Sequence, residues 1–174
     1  KLLERPHDDL VDALRKLGAA IERTDEGYCV KGGHLIGGAI IFDSPISSQY
    51  LSALMLVAPT MEQGLRIEWR GTQLSRPYVE MTAKTMRHFG VDIEVGETLI
   101  DVKPGSYSAM PFEVPADWSA AAFWYEIAAL AEDAEVELMG LKRHGWQGDQ
   151  KVARMLVNRV ATAERVEGVR LRSL

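Results

Sequence analysis

Apolar positions along this chain follow two periods, one near 3.6 residues and one of two, and they alternate in a fixed order. Leu10, Val11, Leu14 and Leu17 share one helical face, and Gly18 follows them, so the spacing predicts a helix over 7–17. Two short strands are expected over 20–23 and 28–31, turned by Asp25-Glu26-Gly27, where Gly permits positive φ. Gly32-Gly33 and Gly37-Gly38 flank a loop, and a buried strand is expected over 39–42. An apolar helix follows from Ser48 to about Ala58, ended by Pro59. Alternation over 65–69 predicts a strand. Arg76-Pro77 opens the next helix, where the missing proline N–H would be unpaired anyway. A second hairpin is expected over 91–95 and 99–103. The stretch 104–115 is rich in Pro, Gly and Ser and holds a candidate strand over 110–114. Asp117-Trp118-Ser119 then starts an apolar helix to about 131, followed by a strand over 135–139, a helix over 149–159 and a last hairpin over 162–172.

The order repeats with a period of about 70 residues. Arg5-Pro6, Arg76-Pro77 and Gln147-Gly148-Asp149 open matching helices, and the helix from Ser48 matches the one near Ser119. Trp69-Arg70-Gly71 matches Leu138-Met139-Gly140. The repeat reads strand–helix–strand–helix–strand–strand. Right-handed crossovers make its first three strands mostly parallel, and the hairpin adds an antiparallel one. The fold class is therefore α+β (mixed α and β), built of βαβαββ units, each a mixed four-stranded sheet packed on two helices. By this pattern a strand is missing before the first helix and the last unit stops after a strand, so the chain reads as an internal piece of a longer protein.

Composition changes this picture little. The chain has 174 residues, 47% hydrophobic and 26% charged, as ordinary globular proteins do. A net charge of -5 argues against a general nucleic-acid binder but not against small anionic ligands, which a few local cations can hold. The single cysteine, Cys29, excludes an internal disulfide and fits a reducing compartment. No apolar run approaches a membrane span.

The chemistry concentrates at helix starts. Ser47-Ser48-Gln49 sets two hydroxyls and an amide at the mouth of an apolar helix, where free N–H groups and the positive helix end favour an anion. The same residues also read as a plain serine cap. Ser75, Arg76, Pro77 and Tyr78 occupy a similar junction, and two such starts can converge on one phosphate or hydroxylated ring. There too a cap and a half-buried tyrosine are the simpler alternative. Arg5 lies at the helix start that matches Arg76. Arginine suits phosphate and carboxylate, though a bare surface role fits as well. His7, His34, His88 and His144 lack metal-ligand spacing, and the paired glycines lead into no helix as a dinucleotide loop would.

Ser47-Ser48-Gln49-Tyr50-Leu51-Ser52-Ala53-Leu54 with Ala58-Pro59 resembles the substrate segment of the 3-phosphoshikimate 1-carboxyvinyltransferases, the EPSP synthases, within the enolpyruvyl transferase family. Ser75-Arg76-Pro77-Tyr78 with Phe89-Gly90-Val91 resembles the next segment, and Glu4-Arg5-Pro6, Leu17-Gly18-Ala19 and Gln147-Gly148-Asp149 match in order. The resemblance implies six such units in two domains, with residues 1–115 the later part of the first domain and 116–174 the truncated first unit of the second. It implies transfer of the enolpyruvyl group of phosphoenolpyruvate to the 5-hydroxyl of shikimate 3-phosphate, in the cytoplasm, with no cofactor, metal, nucleic-acid or membrane partner. It assigns Ser47, Ser48 and Ser75 to the shikimate phosphate and Tyr78 to the ring. Gln49 bridges both substrates and Arg5 holds phosphoenolpyruvate. No catalytic acid or base falls in this chain, which would need the rest of its own protein to turn over. Arg76 stands where many members carry Lys, and the segment from Asp117 is poorer in serine than many, so no ligand is assigned there. The related UDP-N-acetylglucosamine enolpyruvyl transferases lack the Ser-Ser-Gln and Ser-Arg-Pro-Tyr pattern. A non-catalytic ligand-binding or assembly module of the same repeats is the remaining alternative.

Overall fold

Every second residue of Leu65–Trp69 is apolar, and that alternation organises the first sheet. The computed structural model describes residues 7–43, 47–71, 75–142, 145–165 and 167–174. The chain divides into two units, Lys1–Met110 and Pro111–Leu174.

The first unit opens with α1 (Asp8–Lys16), stopped at Gly18, and the antiparallel hairpin β1 (Ile21–Thr24) and β2 (Gly27–Val30). A complete unit follows: β3 (Gly38–Phe42), α2 (Ser48–Val57), β4 (Leu65–Trp69), α3 (Arg76–His88), β5 (Ile93–Val95) and β6 (Leu99–Val102). Its sheet runs β3-β4-β6-β5. β3 pairs β4 in parallel, while β6 is antiparallel to both β4 and β5. The three strands β3, β4 and β5 therefore share one direction, as expected, and β6 is inserted between β4 and β5.

Register explains which face is covered. Ile40↔Ile67, Ile67↔Ile100 and Leu65↔Val102 are partners, and all of these side chains are buried. Leu51, Leu54 and Met55 of α2 and Val79, Ala83 and Met86 of α3 join them in one core, which Ala13 and Leu17 complete. On β4 the intervening positions carry charge, Arg66 pairing with Glu68 at 2.9 Å, and on β6 Asp101 pairs with Lys103 at 2.8 Å, while β3 exposes Ile41 there. On β4, period two thus sends apolar side chains to the helices and charges to water. Gly64, at φ 65°, lets its backbone lie against the carbonyl of Val102 and the nitrogen of Pro104, where a Cβ would collide.

The second unit holds α4 (Trp118–Leu130), β7 (Glu135–Met139), a 3₁₀ turn (Gly148–Lys151), α5 (Val152–Met155), β8 (Val160–Arg165) and β9 (Gly168–Ser173). Its order β7-β9-β8 repeats β4-β6-β5, and both pairings are antiparallel. The core gathers Trp118, Ala121, Tyr125 and Ala128 of α4 against Val160, Val169 and Leu171. Helix and antiparallel hairpin recur three times, as the repeat predicts: α1 with β1–β2, α3 with β5–β6, and the Gly148–Met155 segment with β8–β9.

Two expectations are corrected. Residues 110–114 form no strand. Pro111 and Pro115 remove two N–H donors from one edge of that segment, and Met110, Phe112 and Val114 are exposed. The helix expected over 149–159 is a 3₁₀ turn and one α-turn, because Met155 and Val157 face water and only Ala153 is buried along it. As expected, α2 ends at its C-cap Ala58, and Pro59 lies in the 3₁₀ turn Ala58–Thr60 that follows.

Candidate functional site

Parallel β3 delivers the chain to α2 at the same edge of the sheet where β4 delivers it to α3, so both helix starts fall at one end of the first unit. At the first, Ser47 is the cap. Its Oγ accepts the N–H of Gln49 at 3.3 Å, and its carbonyl accepts those of Tyr50 at 2.9 Å and Leu51 at 3.2 Å. The simpler reading of that serine is thus present in the structure. Accepting a bond leaves the hydroxyl proton available, so capping and donation to a ligand are compatible. Ser48, the first helical residue, is the single buried polar side chain among the described residues.

Ser75 behaves differently. It lies in the left-handed region at φ 62°, ψ 37°, alone among the described non-glycine residues, and its side chain makes no capping bond to α3. A non-glycine residue held there costs about 1–2 kcal/mol. Arg76 turns away from the helix mouth. Its Nε donates to Glu80 at 3.0 Å and its Nη2 to the carbonyl of Gly96 at 3.1 Å, tying α3 to the β5–β6 turn.

Between α2 and α3 lies a cleft of about 590 Å³ lined by Ser48, Gln49, Ser52, Ala53, Leu56, Ser75, Tyr78, Met81 and Thr82. It brings together Ser48, Gln49, Ser75 and Tyr78, which sequence reasoning singled out. Ser47 caps α2 and does not line this cleft, and Arg5 falls outside the described residues. Sequence reasoning missed Ser52 and Thr82. Their signal was there: each sits four residues after a named site residue, Ser48 and Tyr78, and so on the same helical face. At the far end, the Tyr107 hydroxyl donates to the carbonyl of Leu56 at 2.8 Å, and burial raises its pKa above the usual 10.0. No group of three or more His, Cys, Asp or Glu that could hold a metal occurs among the described residues.

The matching helix starts of the second unit are filled from within. Asp117 caps α4 by accepting the N–H of Ser119 at 2.8 Å, and Gln147 accepts the N–H of Trp118 at 2.7 Å while donating to the carbonyl of Ala116 at 2.9 Å. The Ser119 hydroxyl donates to Asp149. The cap bond from Asp117 matches the one Ser47 makes in the first unit, while the Gln147 amide and the Asp149 carboxylate add partners at this second helix start.

One complete βαβαββ unit, partial copies of it before and after in the sequence, and a hydroxyl-lined cleft at paired helix starts define a repeat-built α+β protein. Comparison with known proteins narrows this class. The family model of EPSP synthase (3-phosphoshikimate 1-carboxyvinyltransferase) matches residues 1–170. The 3-phosphoshikimate 1-carboxyvinyltransferase of Bacteroides fragilis is 40% identical over 178 aligned positions, covering 99% of this chain and 43% of that protein. That of Haemophilus ducreyi is 38% identical over 168, covering 90% and 37%. The solved EPSP synthase of Acinetobacter baumannii superposes with a TM-score of 0.69 at 23% identity, over 99% of this chain and 40% of its own, and so shares the fold. The chain belongs to the EPSP synthase family. It spans about two-fifths of the length of these relatives.

Proposed function

We propose that this chain supplies the shikimate 3-phosphate side of an enolpyruvyl transfer site. The reaction moves the enolpyruvyl group of phosphoenolpyruvate to the 5-hydroxyl of shikimate 3-phosphate and releases phosphate. The observation that carries this reading is the cleft, where Ser48, Gln49, Ser75 and Tyr78 meet at two helix starts in a chain of this family. Ser48 and Ser75 donate to the phosphate, and Ser47 adds its remaining proton while capping α2. Tyr78 packs against the ring, and Gln49 reaches from the ring towards phosphoenolpyruvate. Arg5 is assigned to the phosphoenolpyruvate anion. Among the described residues, the cleft lining is hydroxyl, amide and apolar groups. The proton donor to the vinyl carbon, the base for the hydroxyl and further cations for two phosphates and a carboxylate are assigned to other parts of the protein. Residues 1–115 and 116–174 are assigned to successive domains of that protein. A cytoplasmic setting agrees with the free, exposed thiol of Cys29.

Isothermal titration with shikimate 3-phosphate tests the reading. Saturable one-to-one binding, weakened in Ser48→Ala, is expected. Binding of UDP-N-acetylglucosamine in preference to shikimate 3-phosphate would move the chain to the sister transferase, and binding of neither would leave an assembly module.

A further inference from the structure

Beneath the mouth of the cleft, a pair of hydroxyls crosses from one helix to the other. Thr82 Oγ1 of α3 lies 3.1 Å from Ser52 Oγ of α2 and 2.9 Å from the carbonyl oxygen of Tyr78. Both side chains are half-buried and line the cleft. A hydroxyl carries one proton and a carbonyl can only accept, so the Thr82 proton goes to Tyr78. The contact with Ser52 is then made by the Ser52 proton, donated to Thr82 Oγ1. The result is a directed chain from Ser52 through Thr82 to the Tyr78 carbonyl, and it fails if either hydroxyl is removed.

The rest of the packing leaves this pair with a distinct task. α2 and α3 otherwise meet the core through Leu51, Leu54, Met55, Val79, Ala83 and Met86, which hold the helices down without fixing how far one slides along the other. Apolar contact is non-directional, whereas a hydrogen bond at 3.1 Å is lost after a shift of about 1 Å. Thr82 is also β-branched and bonded to its own preceding turn, so its χ1 is pinned. Ser52 and Thr82 each lie one helical turn below Ser48 and Tyr78, so a register fixed at the pair is transmitted rigidly to the two mouths.

We infer that Ser52 and Thr82 are positioning residues: their hydroxyl pair sets the axial register of α2 against α3 and thereby holds Ser48 and Ser75 at the spacing one phosphate group needs. This rests on the shikimate 3-phosphate reading of the cleft. The test measures affinity for shikimate 3-phosphate and urea stability together, in Thr82→Val, Thr82→Ser, Ser52→Ala and the Thr82→Val/Ser52→Ala pair, with Ser48→Ala as reference. Valine keeps the volume and branching of threonine but has no hydroxyl. Thr82→Val and Ser52→Ala should each weaken binding about three- to tenfold, the size of one hydrogen bond. Their double variant should be no weaker than either, and Thr82→Ser should restore affinity. The urea midpoint should stay near that of the parent throughout. Affinity unchanged in Thr82→Val while Ser48→Ala loses it would overturn the positioning role and leave the site reading standing. So would a loss that tracks stability, or one that serine does not rescue. Unchanged affinity in Ser48→Ala would remove the site reading and this inference with it.

Discussion

Replacing Ser75 separates a ligand-binding serine from a helix cap more cleanly than any other substitution in the chain. The residue sits at φ 62°, ψ 37° and makes no capping bond to α3. Ser75→Ala therefore removes a hydroxyl that does nothing for the helix, and it keeps the same backbone strain. Its stability should change by less than about 0.5 kcal/mol. Ser75→Gly relieves about 1–2 kcal/mol of left-handed strain. It loses roughly 0.5–1 kcal/mol to the freer unfolded chain, so it should come out neutral to slightly stabilised. Ligand binding should respond in the opposite sense. A hydrogen bond to a charged phosphate contributes about 1.5–3 kcal/mol. Both variants should then bind shikimate 3-phosphate about 10- to 150-fold more weakly, at about 1.4 kcal/mol per decade. Urea denaturation gives the first quantity and isothermal titration the second. If Ser75 were only a cap, the pattern would invert. Ser75→Ala would cost about 1 kcal/mol of stability, glycine a few tenths, and neither would change affinity. That inverted result would refute the assignment.

Four further outcomes follow from the structure. Burial raises the folded pKa of Tyr107, whose hydroxyl donates to the Leu56 carbonyl. The stability difference between the parent and Tyr107→Phe should hold constant below pH 10.0 and shrink as pH rises through the raised value, in urea titrations across that range. Ile67→Ala empties a fully buried site and should cost roughly 2–5 kcal/mol, whereas Ile41→Ala, at a residue 51% exposed on the neighbouring strand, should cost under about 1 kcal/mol. Gly64→Ala should destabilise by more than about 2 kcal/mol, because its Cβ would meet the Val102 carbonyl and come within 2.8 Å of the Pro104 nitrogen. Gly32→Ala, also at positive φ but facing open space, should cost only about 1 kcal/mol by the same urea assay. Phe123, Ile127 and Leu130 line one face of α4 at 68%, 52% and 88% exposure, so the chain should bind a hydrophobic dye, and serines at these three positions should lower the fluorescence.

The sequence by itself determined the elements and their order. Period two in Leu65–Trp69, the Gly-bearing turns and the Arg-Pro helix start are local signals, set by pleat geometry, by allowed φ and by a missing N–H, and none needs a distant partner. The βαβαββ order followed from their repetition, and the motifs at Ser47 and Ser75 pointed to the family before any coordinates were known. Where a local signal met a non-local requirement, it misled. Residues 110–114 carry alternating apolar positions, yet a strand exists only when another strand pairs with it, and two prolines strip its donors. The helix over 149–159 kept only the turn whose face is buried. The tertiary structure alone decided that Ser48 is buried while Ser47 is spent on a cap, that Ser75 is left-handed and uncapped, and that Ser52 and Thr82 touch across 30 positions of sequence. These are facts about which side chains share a space, and that is fixed only when two helices pack on one sheet.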